Sequence, residues 1–411
     1  MSMKITIAVI FGGNSTEHEI SVISAVQAMG AMDHEKYEIL PVYMTKERLF
    51  YTDPSMENIA SFRDIPGLLK RSRRVIFVQE KNRTYLAGYP SKLFGNNRPI
   101  PVDLAFPIVH GTNVEDGTLQ GYLATVGLPI VGPGVLPSAL GMDKAVMKSV
   151  LKDHGIPVLD CRVIGRAEYE GEQALEKKLE ETFSFPVIVK PVNLGSSIGI
   201  SKAKNEEELK EALELAFSFT DKVLVERAIV HLKEVNCAVL GDAQDARASE
   251  CEEPLSSDEA SILSFEDKYM SGAKGGTGAK GTAGAAKTAG GSKGMASLSR
   301  KIPADIDDAM RTRIRETAVK AFHALDGAGV ARIDFMIDTD SGELFLNEIN
   351  TIPGSLSFYL WEPLGLSYRA MLEELITMAL KHARESGRLT TSFDTNILAT
   401  AQIGGAKGSK T

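Results

Sequence analysis

The chain has 411 residues, 43% of them hydrophobic and 24% charged, which is the composition of an ordinary globular protein of two or three domains and not of a disordered or fibrous one. A formal net charge of −8 argues against a broad nucleic-acid surface. No apolar run approaches the roughly 18 residues needed to cross a bilayer, so neither nucleic acid nor membrane is an expected partner.

In chain order, Lys4–Phe11 is β-branched and reads as a strand rather than a leader peptide. Gly12-Gly13-Asn14 makes a tight turn. Thr16-x-x-Glu19 then predicts a capping box, with Ile20, Ile23 and Val26 continuing a helical stripe. Strand, glycine turn and helix together open an α/β unit. Leu104–Val109 and Leu128–Val131 are further expected strands, the second stopped by Gly132-Pro133-Gly134, where a first domain of residues 1–134 closes. A helix is expected over Asp143–Asp153, ended by Gly155 and Pro157. Val187–Lys190 is a strand that runs into Gly195-Ser196-Ser197-x-Gly199. Asn205-x-x-Glu208 caps a helix whose apolar residues are Leu209, Leu213 and Phe217, and Val223–Glu226 is another strand. These elements make an α+β block over residues 135–228. Residues 229–384 follow, with a strand at Val235–Leu240 and a hairpin whose strands are Ala331–Ile337 and Glu343–Ile349. A last amphipathic helix at Tyr368–Ala383 precedes a polar tail, 385–411. Within this third block, residues 272–294 are almost entirely Gly, Ala, Thr, Ser and Lys; a surface loop or a basic lid over phosphates are the two readings of that segment. Cys161, Cys237 and Cys251 form no CxxC pair, which fits a reducing cytosol and argues against a disulfide framework or zinc knuckle.

The hairpin carries the most chemistry. Alternate strand residues share a face, and a turn centred near Ser341 sets Asp334 opposite Glu348 and Arg332 opposite Asn350. One face then holds two carboxylates, an amide oxygen and a guanidinium, while Ile333, Phe335 and Ile349 point into a core. Hard divalent cations take such oxygen donors; a solvated strand face with an Arg–Asp ion pair is the alternative. The Gly195-Ser196-Ser197 loop, with Lys190 at the end of the strand before it, suits anionic phosphate oxygens, although it is neither a Walker loop nor GxGxxG. Lys144 is a second candidate cation or an exposed helical lysine.

These residues, in this order, resemble the ATP-grasp enzymes and most closely the D-alanine–D-alanine ligases. The matching stretches are Gly12-Gly13-x-Ser15-x-Glu17-x-Glu19-Ile20-Ser21, His110-Gly111 with Glu115-Asp116-Gly117-x-x-Gln120-Gly121, Met142-Asp143-Lys144, and the Lys190–Gly199 loop. They continue with Glu226, Glu234, Lys268-Tyr269, Arg332-x-Asp334-Phe335, and Asn347-Glu348-x-Asn350-Thr351-x-Pro353-Gly354. The resemblance runs from the first strand to about Ala383. It implies a three-domain fold, an N-terminal α/β domain and two domains that clamp the nucleotide, and a cytoplasmic, homodimeric enzyme of cell-wall precursor synthesis.

The resemblance also implies roles. Lys144, Lys190, Gly195, Ser196 and Ser197 would contact ATP phosphates. Glu226 would sit by adenine, Glu234 by the ribose, and Lys268 on the other side of the nucleotide. Asp334, Glu348 and Asn350 would hold two Mg²⁺ ions, with Mn²⁺ able to substitute. Glu17 would take the first amino acid's ammonium and His110 would lie near its carboxylate. Arg332 and the Gly354 N–H would stabilise an oxyanion, and Glu17, Ser196 and Tyr269 would link the first-substrate site to the lid. The implied chemistry is phosphorylation of one D-alanine carboxylate and attack on the acyl phosphate by the amine of a second. After Gly354 the chain departs from the family: Ser355-Leu356-Ser357-Phe358-Tyr359-Leu360-Trp361 stands where threonine and serine residues usually serve the second carboxylate. Ser355 or Ser357 is the candidate there. Another amino acid or a hydroxy acid as second substrate is an alternative, and a nucleotide-binding regulator without chemistry is a more remote one.

Overall fold

A computed structural model describes residues 4–91, 98–172, 175–195, 198–255, 300–393 and 395–396. Ser196, Ser197, Lys268, Tyr269 and the 272–294 segment lie outside the described residues.

Three sheets organise the chain. The first has strands β1 (Ile5–Gly12), β2 (Tyr37–Met44), β3 (Phe50–Thr52), β4 (Arg73–Glu80), β5 (Arg83–Gly88), β6 (Ile100–Val102) and β7 (Leu104–Pro107) in the order β6-β5-β4-β3-β2-β1-β7. β1 pairs in parallel with β2 and β7, so it lies inside the sheet, which is why Ile7–Phe11 is a continuous apolar run with no exposure. The second sheet has β8 (Cys161–Gly165), β9 (Val187–Pro191), β10 (Ser201–Ala203) and β11 (Lys222–Arg227), ordered β10-β9-β11-β8 and antiparallel. The third has β12 (Leu232–Gly241), β13 (Ala246–Pro254), β14 (Arg300–Lys301), β15 (Gly329–Asp338) and β16 (Glu343–Asn350), ordered β14-β13-β12-β15-β16.

Several local expectations change. The first helix is His18–Ala31; its N-cap position is Glu17 with no side-chain cap, so the Thr16 capping box does not form. Its buried face runs through Ser21, Val22, Ala25 and Met29, rotated from the Ile20, Ile23, Val26 stripe, which is half-buried. The rotation follows from the serines: Ser21 and Ser24 are buried because their hydroxyls have partners, and polarity alone could not place them inside. Leu128–Val131 is not a strand; only Ile130 makes a bridge, to Ala105. The Asn205 cap forms as read, and Asp143, expected inside its helix, caps it instead. Asp143 accepts from the N–H groups of Ala145 and Val146 at the start of the helix Lys144–Asp153, and Asn205 accepts from Glu208 N–H at the start of Glu206–Phe217.

The cores explain where polar faces remain. One face of the third sheet, with Val235, Cys237, Ile333, Phe335 and Ile349, packs on the helix Asp308–Ala324 through Ile314, Ala318 and Phe322. On the opposite face, Ala238 and Leu240 join the core of the first sheet together with Leu356, Leu360, Trp361 and the final helix Tyr368–Ser386. The polar remainder of that face is the candidate site. No helix among the described residues is long and apolar enough to cross a membrane.

Candidate functional site

The hairpin has the expected register: Asp334 pairs with Glu348 and Arg332 with Asn350. A bulge then intervenes, since Phe335 pairs with Leu346, and Asn347 is the extra residue. Arg332 grips Asp334 bidentately, Nε to Oδ1 at 2.7 Å and Nη2 to Oδ2 at 2.8 Å, and Asn350 Nδ2 donates to Asp334 Oδ2 at 3.1 Å. Burial works against the Arg332 charge, but Asp334 outweighs it and holds the guanidinium's pKa above its ordinary value. Asp334, Glu348 and the Asn350 amide oxygen are hard donors on one face; of the about four lone-pair sites on the Asp334 carboxylate, Arg332 uses two and Asn350 a third, which leaves one. The donor set therefore fits a magnesium ion.

The lysines converge on the same face, Lys190 from the second sheet and Lys144 from the first turn of the helix Lys144–Asp153. Lys190, at the end of β9, is buried; its Nζ is 2.5 Å from Glu226 Oε1 and donates to Asn347 Oδ1 at 2.9 Å. Lys144 Nζ donates to Leu194 O at 2.6 Å and lies 3.2 Å from Glu348 Oε2, which joins the loop before Gly195 to the hairpin. Glu226, on β11, also pairs with buried Lys148. Burial raises the Glu226 pKa, but Lys190 and Lys148 overcome this and hold the carboxyl below its usual range. Glu234 lies on the polar face of β12, two residues from Asn236, which pairs with Asp334. Farther across that sheet Asn236 donates to Glu252 at 3.1 Å. Glu252 also accepts from Tyr359 at 3.2 Å and from Arg300 at 2.7 Å, and Arg300 stacks on the Tyr359 ring at 4.0 Å.

The third contribution comes from the first sheet. Glu17 is buried, and its carboxylate lies so close to two glycines that a Cβ at Gly111 would be 2.8 Å from Oε2 and one at Gly195 3.0 Å from it. The Glu17 carboxylate and the loop at Gly195 are thus adjacent. His110 follows β7 and uses both ring nitrogens: Nδ1 lies 2.8 Å from Ile352 O and Nε2 3.0 Å from Ser24 Oγ. A carbonyl only accepts, so Nδ1 carries the proton and Nε2 accepts from Ser24, whose Oγ accepts in turn from Ser355 N–H at 2.9 Å. Burial pushes the His110 pKa down to about 4, against the Ile352 bond, so the ring is neutral. Glu115 accepts from the N–H groups of Gly111 (2.9 Å) and Ile352 (2.8 Å) and from Thr351 Oγ1 (3.2 Å). Burial, helped by the Glu17 charge, nevertheless lifts its pKa to about 7.

Beyond Gly354, Ser355, Leu356 and Ser357 all have positive φ (51°, 52° and 49°), a left-handed run in which no residue is glycine. Ser355 Oγ donates to Gln27 at 2.7 Å. Ser357 Oγ is buried with no hydrogen-bond partner among the described residues.

Lys148, Ser24 and Gln27, which the sequence reading did not name, carry contacts, as do Glu115, Asn347 and Tyr359, which it named within motifs without giving them a role. For Lys148 a signal existed: it lies four residues after Lys144, on the face of the buried Met147 and Leu151. Asn347 stood at the head of a matching motif, but its contact with Lys190 was not legible, because the bulge at this point of the hairpin is not written in the alternation.

Lysines from a strand end and a helix start that face a hairpin of oxygen donors, with a buried acid from an α/β domain alongside, fit an ATP-dependent ligase of the ATP-grasp class. The comparisons with known proteins agree. Residues 6–133 match the family described as D-ala D-ala ligase N-terminus, and residues 150–289 and 291–377 the one described as D-ala D-ala ligase C-terminus. The chain belongs to the D-alanine–D-alanine ligase family. It is 38% identical over 400 residues to the D-alanine–D-alanine ligase of Thermoanaerobacter sp. (strain X514), covering 94% of this chain and 99% of that protein. With that of Acetivibrio thermocellus it shares 37% over 402 residues, 94% of this chain and 98% of the other. Among solved structures, the D-alanine–D-alanine ligase from Coxiella burnetii superposes with a TM-score of 0.74 at 27% identity, over 93% of this chain and 96% of that one. The VanG D-Ala:D-Ser ligase from Enterococcus faecalis gives 0.71 at 33% identity, over 92% and 100%. ATP and Mg²⁺ are the cofactors of the family.

Proposed function

We propose that the protein ligates two molecules of D-alanine to D-alanyl-D-alanine at the expense of ATP, for peptidoglycan precursor synthesis in the cytoplasm, as a homodimer. The single observation that carries this is the meeting of three groups from three sheets: Glu17 against Gly195, Lys190 against Asn347, and Lys144 against Glu348. The domains are 1–134, 135–228 and 229–384.

In this scheme Lys144, Lys190 and the Gly195–Ser197 loop bind the phosphates, Glu226, Glu234 and Lys268 the nucleoside, and Asp334, Glu348 and Asn350 two Mg²⁺ ions, which supply charge neutralisation on the phosphates. Glu17 takes the first ammonium; His110 lines the same pocket and orients the turn that follows Asn350. The first carboxylate attacks the γ-phosphorus, ADP departs, and an acyl phosphate remains. The neutral amine of the second D-alanine attacks its carbonyl carbon, with Arg332 and Gly354 N–H bearing the oxyanion. Collapse expels phosphate, and the amine proton is lost. Ser355 and Ser357 lie beside the second carboxylate; the roles expected for Ser196 and Tyr269 fall outside the described residues.

A second reading has D-serine as the second substrate. It is favoured by the likeness to a D-Ala:D-Ser ligase and by the altered run after Gly354. Phosphate release from Mg-ATP, with D-alanine alone and then with D-serine or D-lactate added, tests both. Rapid release with D-alanine alone and D-alanyl-D-alanine as product supports the first; release only with a second compound reassigns the pocket. ATP binding without phosphate release under any condition would leave a regulator.

A further inference from the structure

Lys148 is a buried lysine that this scheme does not use. It is 2% exposed, and its Nζ donates to Leu159 O at 3.1 Å and to Glu226 Oε2. The other oxygen, Glu226 Oε1, lies 2.5 Å from Lys190 Nζ, and Lys190 also donates to Asn347. One carboxylate is shared by two ammonium groups, so the three side chains together carry one net positive charge.

We propose that Lys148 is a positioning residue for the nucleotide: by taking a share of the Glu226 carboxylate it leaves the Lys190 ammonium available to the triphosphate. This rests on the reading of Lys190 as a phosphate ligand. Were Glu226 paired with Lys190 alone, the two would form a neutral, desolvated pair, and an incoming phosphate would have to compete with a carboxylate already in contact. With Lys148 present the attraction is divided and a positive charge remains at the strand end. Packing gives no reason for a lysine here. Methionine has nearly the same length, would sit beside Met147 and Leu151, and would avoid the desolvation cost that lowers the Lys148 pKa. What the position supplies is charge.

The test is a charge-rescue series in the full-length protein, read by calorimetric titration of ATP and by steady-state phosphate release. Lys148→Met leaves Glu226 with one partner; its dissociation constant and KM for ATP rise about tenfold while kcat stays within about twofold. Lys148→Arg keeps the charge at this position and stays within about threefold of wild-type affinity, while Lys148→Gln, polar but uncharged, is as weak as Lys148→Met and keeps the inference testable should that variant not fold. Unchanged affinity in Lys148→Met or Lys148→Gln, or a Lys148→Arg variant as weak as these, overturns the inference and makes Lys148 a structural filler. Wild-type protein that binds no ATP would remove the functional reading itself, and the inference with it.

Discussion

Glu115 is where a single substitution separates burial from hydrogen bonding. Its carboxylate accepts three donors, yet burial and the nearby Glu17 lift its pKa from about 4.5 to about 7. Between these values the unfolded chain has released the proton and the folded one retains it, so Glu115 makes the protein less stable as pH rises through that window. A gap of about 2.5 pH units corresponds to about 3 kcal/mol at 1.36 kcal/mol per unit. Glu115→Gln does not titrate. Its amide can accept from Ile352 and Thr351 but presents an NH2 to Gly111 N–H, a pH-independent loss of about 1–3 kcal/mol. The variant is therefore expected to be less stable than wild type at pH 4.5 and to equal or exceed it at pH 7.5. His110 acts in the opposite sense, because its depressed pKa costs stability as pH falls from 6.5 toward about 4. Its effect masks that of Glu115 in either protein alone and cancels in the difference between them. Urea unfolding of both proteins at the two pH values measures that difference. A gap that does not change with pH would refute the account of Glu115.

Three further outcomes are expected. Glu348→Gln removes an anionic donor from the hairpin and releases Lys144; phosphate release should fall by about two orders of magnitude or more with the melting temperature little changed, and a near-normal rate would remove the metal assignment. Gly195→Ala places a methyl 3.0 Å from Glu17 Oε2; the KM for the first D-alanine should rise roughly tenfold, a loss of ~1.4 kcal/mol, and an unchanged KM would mean that Glu17 does not face the first substrate. Ser24→Ala orphans the buried Ser355 N–H and leaves His110 Nε2 without a donor; thermal denaturation should show a loss of about 1–3 kcal/mol, and an unaltered transition would show that the turn is held by something else.

Alternation and turn spacing were enough to read the register of the hairpin, because a two-residue period and one turn determine which side chains share a face; Arg332, Asp334, Glu348 and Asn350 fall where that period puts them. Strand ends marked by Lys190 and Glu226 were legible for the same reason. The block from Tyr37 to Val102, five strands of the first sheet, was not read; strands such as β4 and β6 are short or half-exposed, and their pairing is non-local. The first helix was read with the wrong face because Ser21 and Ser24 are inside, and only their distant partners, Ile108 O and His110, make that tolerable. Lys148 was passed over for a similar reason: a helical lysine is by default exposed, and its counter-charge is 78 residues away.

The turn after Asn350 shows why the second-substrate side was the hardest to read. Three consecutive left-handed residues without a glycine store roughly 1–3 kcal/mol each, and the local bond from Leu356 N–H to Pro353 O offsets only part of that. The offset comes from the first sheet and its helix: Glu115 bonds Thr351 and Ile352, His110 bonds Ile352 O, Ser24 bonds Ser355 N–H and Gln27 bonds Ser355 Oγ. Five bonds at about 1 kcal/mol net, more for those to a charged carboxylate, are comparable with the strain. The position of Gly354 is therefore set by residues 240 to 330 positions earlier in the chain, and the same His110 and Glu115 border the Glu17 pocket. In the proposed scheme a first substrate against Glu17 therefore lies beside the groups that hold the turn on which the second would react, and the strained backbone of Ser355, Leu356 and Ser357 is the physical link between the two.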